Sequence, residues 1–98
     1  MVEIEIPFNK WSKDKLMKNN KWATSRNKKY GEVGDTFVVD ETTYELDFVI
    51  KLPLWFIAIE LFESEGCLFP NEFREVWAQI HPRKGYVGHQ MVWYHHFG

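Results

Sequence analysis

Leu54-Trp55-Phe56-Ile57-Ala58-Ile59-Glu60-Leu61-Phe62-Glu63-Ser64 is the stretch on which the fold class turns, because a short run this apolar suits a buried strand or a helix. Periodicity alone leaves the choice open. Leu54, Ile57, Ala58, Leu61 and Phe62 recur at helical spacing, Pro53 suits a first helical position and Gly66 a left-handed stop, so the segment is read as a helix. Downstream, Phe73, Val76, Trp77 and Ile80 fall at i, i+3, i+4 and i+7, with Pro70 and Glu72 at the start and His81-Pro82 at the end. That is the clearest helix of the chain. Gln90 to Phe97 follows the Gly85 and Gly88 turns as a closing strand.

Upstream, the period falls to two. Thr36–Asp40 and Tyr44–Lys51 are β-branched or aromatic runs separated by Glu41-Thr42-Thr43, which predicts an antiparallel hairpin. Tyr44, Leu46, Phe48 and Ile50 are expected on its inner face, with Glu45, Asp47 and Lys51 outward. Val2, Ile4, Ile6 and Phe8 alternate with Glu3 and Glu5 as a half-buried first strand. Between them, Lys10–Lys18 reads as an exposed helix capped by Ser12 and ended by Asn19-Asn20, and Lys21–Arg26 as a short strand entering the 27–34 loop. Strands, inserted helices and a returning strand make an α+β pattern in which a small sheet curls around its core. A short barrel or half-barrel would also shelter the strand edges.

With 98 residues, 45% of them hydrophobic and including eight Phe and five Trp, the chain has material for one core and one domain, residues 1–98. The apolar run from Phe48 to Phe62 is interrupted by Lys51 and Pro53 and is too short to cross a bilayer. The amino terminus opens on Glu3 and Glu5 rather than on a leader pattern, which predicts a soluble, cytoplasmic protein with no membrane partner. The lone Cys67 fits a reducing compartment and is expected to be an inert apolar side chain.

A net charge of −2 argues against a strongly basic, sequence-blind nucleic-acid binder. The average conceals a division: residues 1–34 hold eight Lys/Arg against four acids, and the remainder four against ten. One explanation is an ordinary solvated surface. The other is a local anion site, and Lys21-Trp22-Ala23-Thr24-Ser25-Arg26 gives it content, with an amine, a hydroxyl and a guanidinium within six residues. Lys21, Arg26, Lys28 and Lys29 suit phosphate oxygens, and Trp22 or Tyr30 suits stacking on a base. The plainer alternatives are a solvated Lys21, Thr24 in a strand ladder and Trp22 in the core. Glu65-Gly66, at the break between two apolar segments, places a carboxylate where a cleft would form. Its plainer alternative is a helix-start residue.

Four histidines raise the question of a metal. Neighbours on a strand face opposite ways, so His95 and His96 do not chelate one ion, and no Cys or acidic partner has zinc-like spacing. No metal and no cofactor is expected; His95 is expected to pack against the sheet and His81 to close a helix.

The ordered set Lys21-x-x-Thr24-x-Arg26, Gly31, Val33-Gly34-Asp35, Pro53-Leu54, Glu65-Gly66, Phe73-x-x-Val76-Trp77-x-x-Ile80-His81-Pro82 and Val92-Trp93-x-His95-x-Phe97 resembles the ASCH domain of the PUA-like superfamily. The resemblance covers the chain from about Lys18 onward. It implies a β-barrel of five or six mostly antiparallel strands with two or three helices packed beside it and a cleft between them. It also implies binding of RNA or of a modified nucleoside or nucleotide, and, in some small bacterial members, hydrolysis of the amide of acetylated cytidine. Those amidohydrolases use a Lys and a Thr spaced like Lys21 and Thr24, and a Glu placed like Glu65. Two positions depart from that pattern: Asn20 stands for the usual glycine, and Asn27 for an acid that would orient its neighbours. An activated Thr24 needs a base, which Lys21 supplies only if burial or a cation such as Arg26 lowers its pKa, and Glu65 would then protonate a leaving amine. Binding of RNA or a nucleotide is the first expectation, amide hydrolysis the second, and a protein-interaction module, marked by an exposed apolar patch away from the cleft, the third.

Overall fold

In a computed structural model describing residues 1–98, the deciding stretch is helical. The elements run α1 (Lys10–Met17), β1 (Ala23–Arg26), β2 (Thr36–Val39), β3 (Thr42–Pro53), α2 (Leu54–Glu60), α3 (Pro70–Ile80) and β4 (Met91–Phe97). Pro53 is the extended residue before α2 rather than its first helical position. The helix ends at Glu60, short of Gly66, because a chain of turns intervenes; Gly66 closes them at φ +94°, a conformation that penalises any Cβ. Pro70 opens α3, where its missing N–H costs nothing, and Glu72 Oε1 accepts the Leu68 N–H at 2.7 Å.

The sheet has four strands, all antiparallel, in the order β1-β4-β3-β2. It is a curled half-barrel, not the barrel of five or six strands that the resemblance implied. The missing strand is the first segment, which contributes one parallel bridge, Glu3 to Thr36. Ile4 N–H donates to Thr36 O and Thr36 N–H to Val2 O, and the pairing goes no further. Asp35 secures this segment: its carboxylate accepts the N–H groups of Val2 (3.0 Å) and Glu32 (2.8 Å), and those bonds hold its pKa below the usual value.

Two cores lie on opposite faces of the sheet. Ala23, Val92 and Tyr94 pack on one face against Leu54, Ile57, Ala58, Phe73 and Trp77 of α2 and α3. Leu46 and Phe97 pack on the other with Ile6, Leu16, Phe37 and Val39. Strand β3 reaches both because it carries a bulge. Leu46 pairs with Phe97 but Phe48, not Asp47, pairs with His96. The extra residue reverses the alternation beyond it. The simple period-two pattern therefore fails after Leu46: Val49 turns to the second core, while Phe48 and Ile50 turn outward, 50% and 37% exposed.

At α1, the cap is Asn9 rather than Ser12; the Ser12 N–H donates to Asn9 Oδ1 at 2.8 Å. The helix ends in a left-handed residue, Asn19 at φ +60°, one position before Asn20. No helix is long and apolar enough to cross a membrane.

Candidate functional site

Strand β1 is the sheet's edge, and beside it lies a cavity of about 580 Å³. Its walls come from the segment before α1 and α1 itself (Phe8, Trp11), from β1 and the loop after it, from Glu65 and Cys67, and from α3 (Phe73, Val76, Trp77, Ile80) with its capping residue His81. Aromatic and aliphatic groups form much of the lining, and the charged groups cluster on the β1 side.

Lys21 and Glu65 meet there. Lys21 Nζ lies 3.2 Å from Glu65 Oε1 and 3.2 Å from its backbone oxygen, while Ser25 Oγ donates to Glu65 Oε2 at 2.7 Å. The pair is buried, so Lys21 is not solvated and Glu65, five residues before α3, is not a helix-start residue. The position of Glu65 is set by turns: Trp22 and Ala23 N–H both donate to Ser64 O, and Ser64 Oγ is hydrogen-bonded to Tyr94 Oη at 2.7 Å. Burial pushes the Tyr94 hydroxyl up to about 12, so it stays protonated.

Thr24 is on the cavity wall too, but its Oγ1 accepts from Arg26 Nε at 3.1 Å instead of meeting Lys21 or Glu65. Alternation explains it. Thr24 and Arg26 point to one face of β1, Ser25 to the other, and the hydroxyl that reaches Glu65 is Ser25's. Ser25 carried no role in the sequence, although its offset of four from Lys21 was a signal of a shared strand face. Arg26 lies over Phe8 (5.1 Å) and Tyr30 (5.6 Å), and burial lowers its pKa from an ordinary arginine's, against the raising effect of Tyr30 and Glu65. Lys28 Nζ is 4.7 Å from the Tyr30 ring centre.

Lys21, Thr24, Arg26, Lys28, Tyr30 and Glu65 thus share one cavity; Trp22 and Lys29 do not. Trp22 is neither core nor cavity wall: it is 41% exposed beside a second, shallower hollow of about 260 Å³. Lys29 is bound to Glu32 at 2.5 Å and stacked over Trp93. No cluster of three or more His, Cys, Asp or Glu has metal-binding geometry.

His95 is a further residue whose part the sequence did not disclose. Fully buried, it accepts the Tyr30 N–H at Nε2 (3.1 Å), which leaves Nδ1 to donate to Thr24 O (3.2 Å). The neutral ring thereby ties the Tyr30 loop to β1, and desolvation holds its pKa below 6.5. Burial also pushes the Cys67 thiol up to about 12, with help from Glu65 and Glu72.

No protein-family model and no curated protein matches this sequence. Among solved structures, the chain superposes on an ASCH domain from Lactobacillus crispatus JV V101 with a TM-score of 0.70, across 98% of this chain and 77% of that one, at 14% identity. The chain has the ASCH fold. A second structure, protein EF3133 of Enterococcus faecalis V583, assigned to DUF984, superposes with a TM-score of 0.61 over 98% of this chain and 73% of that one, at 13% identity. In this chain that fold is a curled four-stranded antiparallel sheet with helices α2 and α3 on one face, and the cavity lies at its β1 edge.

Proposed function

We propose that the cavity binds a nucleoside or nucleotide, free or as one unit of an RNA strand. The observation that carries this reading is the opposition of a buried polar cluster, Lys21, Glu65, Ser25 and Thr24, with the half-buried Arg26 beside it, to aromatic walls across a space of about 580 Å³. That volume is in the range of small-molecule sites. Phe8, Trp11 and Tyr30 offer ring faces, and a stacked base gains about 1–3 kcal/mol. Arg26 and Lys28, at the loop side, supply cations for a phosphate. The ASCH fold, a PUA-like architecture often used on RNA, agrees with this reading. Titration of ¹⁵N-labelled protein with cytidine 5′-monophosphate and with a short single-stranded RNA tests it. Saturable shifts at Thr24, Arg26 and Tyr30 are expected; their absence with both ligands overturns the proposal.

Amide hydrolysis is a second reading, favoured by one feature: an amine, a carboxylate and two hydroxyls share the cavity wall. In it, the Lys21 ammonium hands a proton to Glu65 across their 3.2 Å contact and swings to Thr24, whose Oγ1 leaves Arg26 and bonds to the acyl carbon of an acetylated cytidine; the hydroxyl proton passes to the freed amine, the C–N bond breaks, and Glu65 returns its proton to the departing nitrogen. Water then cleaves the acyl ester and restores the hydroxyl. Incubation with N4-acetylcytidine followed by mass spectrometry decides: product that disappears with Thr24→Ala supports it, and no product removes it.

A further inference from the structure

We infer that the backbone of Ser25 reads the hydrogen-bonding edge of a base; the inference rests on the nucleotide reading above. The register of β1 on β4 supplies the reason. Phe97 N–H donates to Trp22 O, and Ala23 N–H turns the other way, to Ser64 O at 2.9 Å. In an antiparallel pair such directions alternate residue by residue, so Thr24 and Arg26 face β4 while Ser25, paired opposite Tyr94, presents its N–H and C=O to the open edge. No backbone group bonds to either on that side. Ser25 is nevertheless buried, at 7% exposure, which leaves both groups short of bulk water.

The cavity lies along that edge rather than over one face of the strand. Its wall includes Thr24 and Arg26 from one face together with Ser25 from the other. A donor and an acceptor side by side on one extended residue form the pattern with which a strand pairs its neighbour. Every nucleobase carries a matching pair of adjacent donor and acceptor atoms on its Watson–Crick edge. A peptide strand is a poorer occupant, since Ser64 O already holds Ala23 and the strand ends at Arg26, leaving one residue of free edge. Bases with opposite donor order fit by turning over, so this contact demands a free edge without selecting one base.

The test compares cytidine 5′-monophosphate with its N4,N4-dimethyl and 5-methyl analogues by calorimetry, and follows the Ser25 amide by hydrogen exchange. The expected result is that dimethylation weakens binding at least tenfold, 5-methylation leaves it within twofold, and the unmodified nucleotide slows exchange at Ser25. Equal affinity for the dimethyl analogue, or unchanged Ser25 exchange at saturation, overturns the inference and leaves the nucleotide site standing. Failure of all three nucleotides to bind overturns both.

Discussion

Lys21 Nζ is 3.2 Å from Glu65 Oε1, and the two side chains retain only 3% and 6% of their exposure. Such a pair adds little net stability, since removing two charges from water offsets their attraction, but it makes each partner dependent on the other. Lys21→Met alone should cost about 3–5 kcal/mol by leaving a buried carboxylate unpaired. The double variant Lys21→Met/Glu65→Gln should recover most of that loss. Urea unfolding of the wild type, Lys21→Met, Glu65→Gln and the double variant checks it; additive effects would mean that the two groups are not coupled.

Arg26 and Lys28 are the cations of the cavity's loop side, so RNA binding should weaken with salt. Arg26→Gln should lower affinity for a short single strand and reduce the slope of log K against log salt by about 0.7, the value for one phosphate contact on single-stranded nucleic acid. Fluorescence anisotropy across a salt series provides the measurement. An unchanged slope would remove Arg26 from the phosphate.

The neutral state of His95 belongs to the fold. With its folded pKa below the unfolded value of 6.5, the unfolded chain takes up the extra proton first, so stability is full above about pH 6.5 and falls as the pH drops toward the folded pKa. Urea midpoints at pH 8 and pH 5 should show this fall. His95→Gln, less stable throughout, should flatten the 5–6.5 part of the curve.

Cys67 should be unreactive in the native state. Its pKa of about 12 leaves almost no thiolate at pH 8, and its side chain is buried. Alkylation by iodoacetamide should therefore follow unfolding, rising with urea along the same transition as circular dichroism. Rapid labelling in native buffer would contradict the packing around it.

Helices α2 and α3 were legible because proline and glycine punctuate a strong apolar period, and the hairpin and β4 because β-branched or aromatic runs stand next to turn residues. The N-terminal strand was not, since alternation records which side chains are buried and Ile6 indeed is; it does not record whether the backbone finds a partner. The bulge at Asp47 escaped for a similar reason: nothing in Leu46-Asp47-Phe48 shows an insertion until Phe97 and His96 lie alongside. At the site, the convergence of Lys21 with Glu65 followed from the resemblance, not from spacing across 44 residues. Ser25 and His95 were missed because their significance lies in what stands opposite them, at Glu65 and at Tyr30.

The extra residue in β3 also fixes how that strand tolerates change in length. Removing Asp47 would not trim a surface irregularity; it would turn the six residues from Phe48 to Pro53 inside out, driving Phe48 and Ile50 inward and Leu52 away from its neighbours. Because α2 begins at the very next residue, the helix would start its first turn rotated away from its seat on the sheet. A single-codon deletion there should be as damaging as loss of a whole element, whereas the loop carrying Gly85, where an added Cβ would meet nothing within 4 Å, should absorb the same deletion with far less effect.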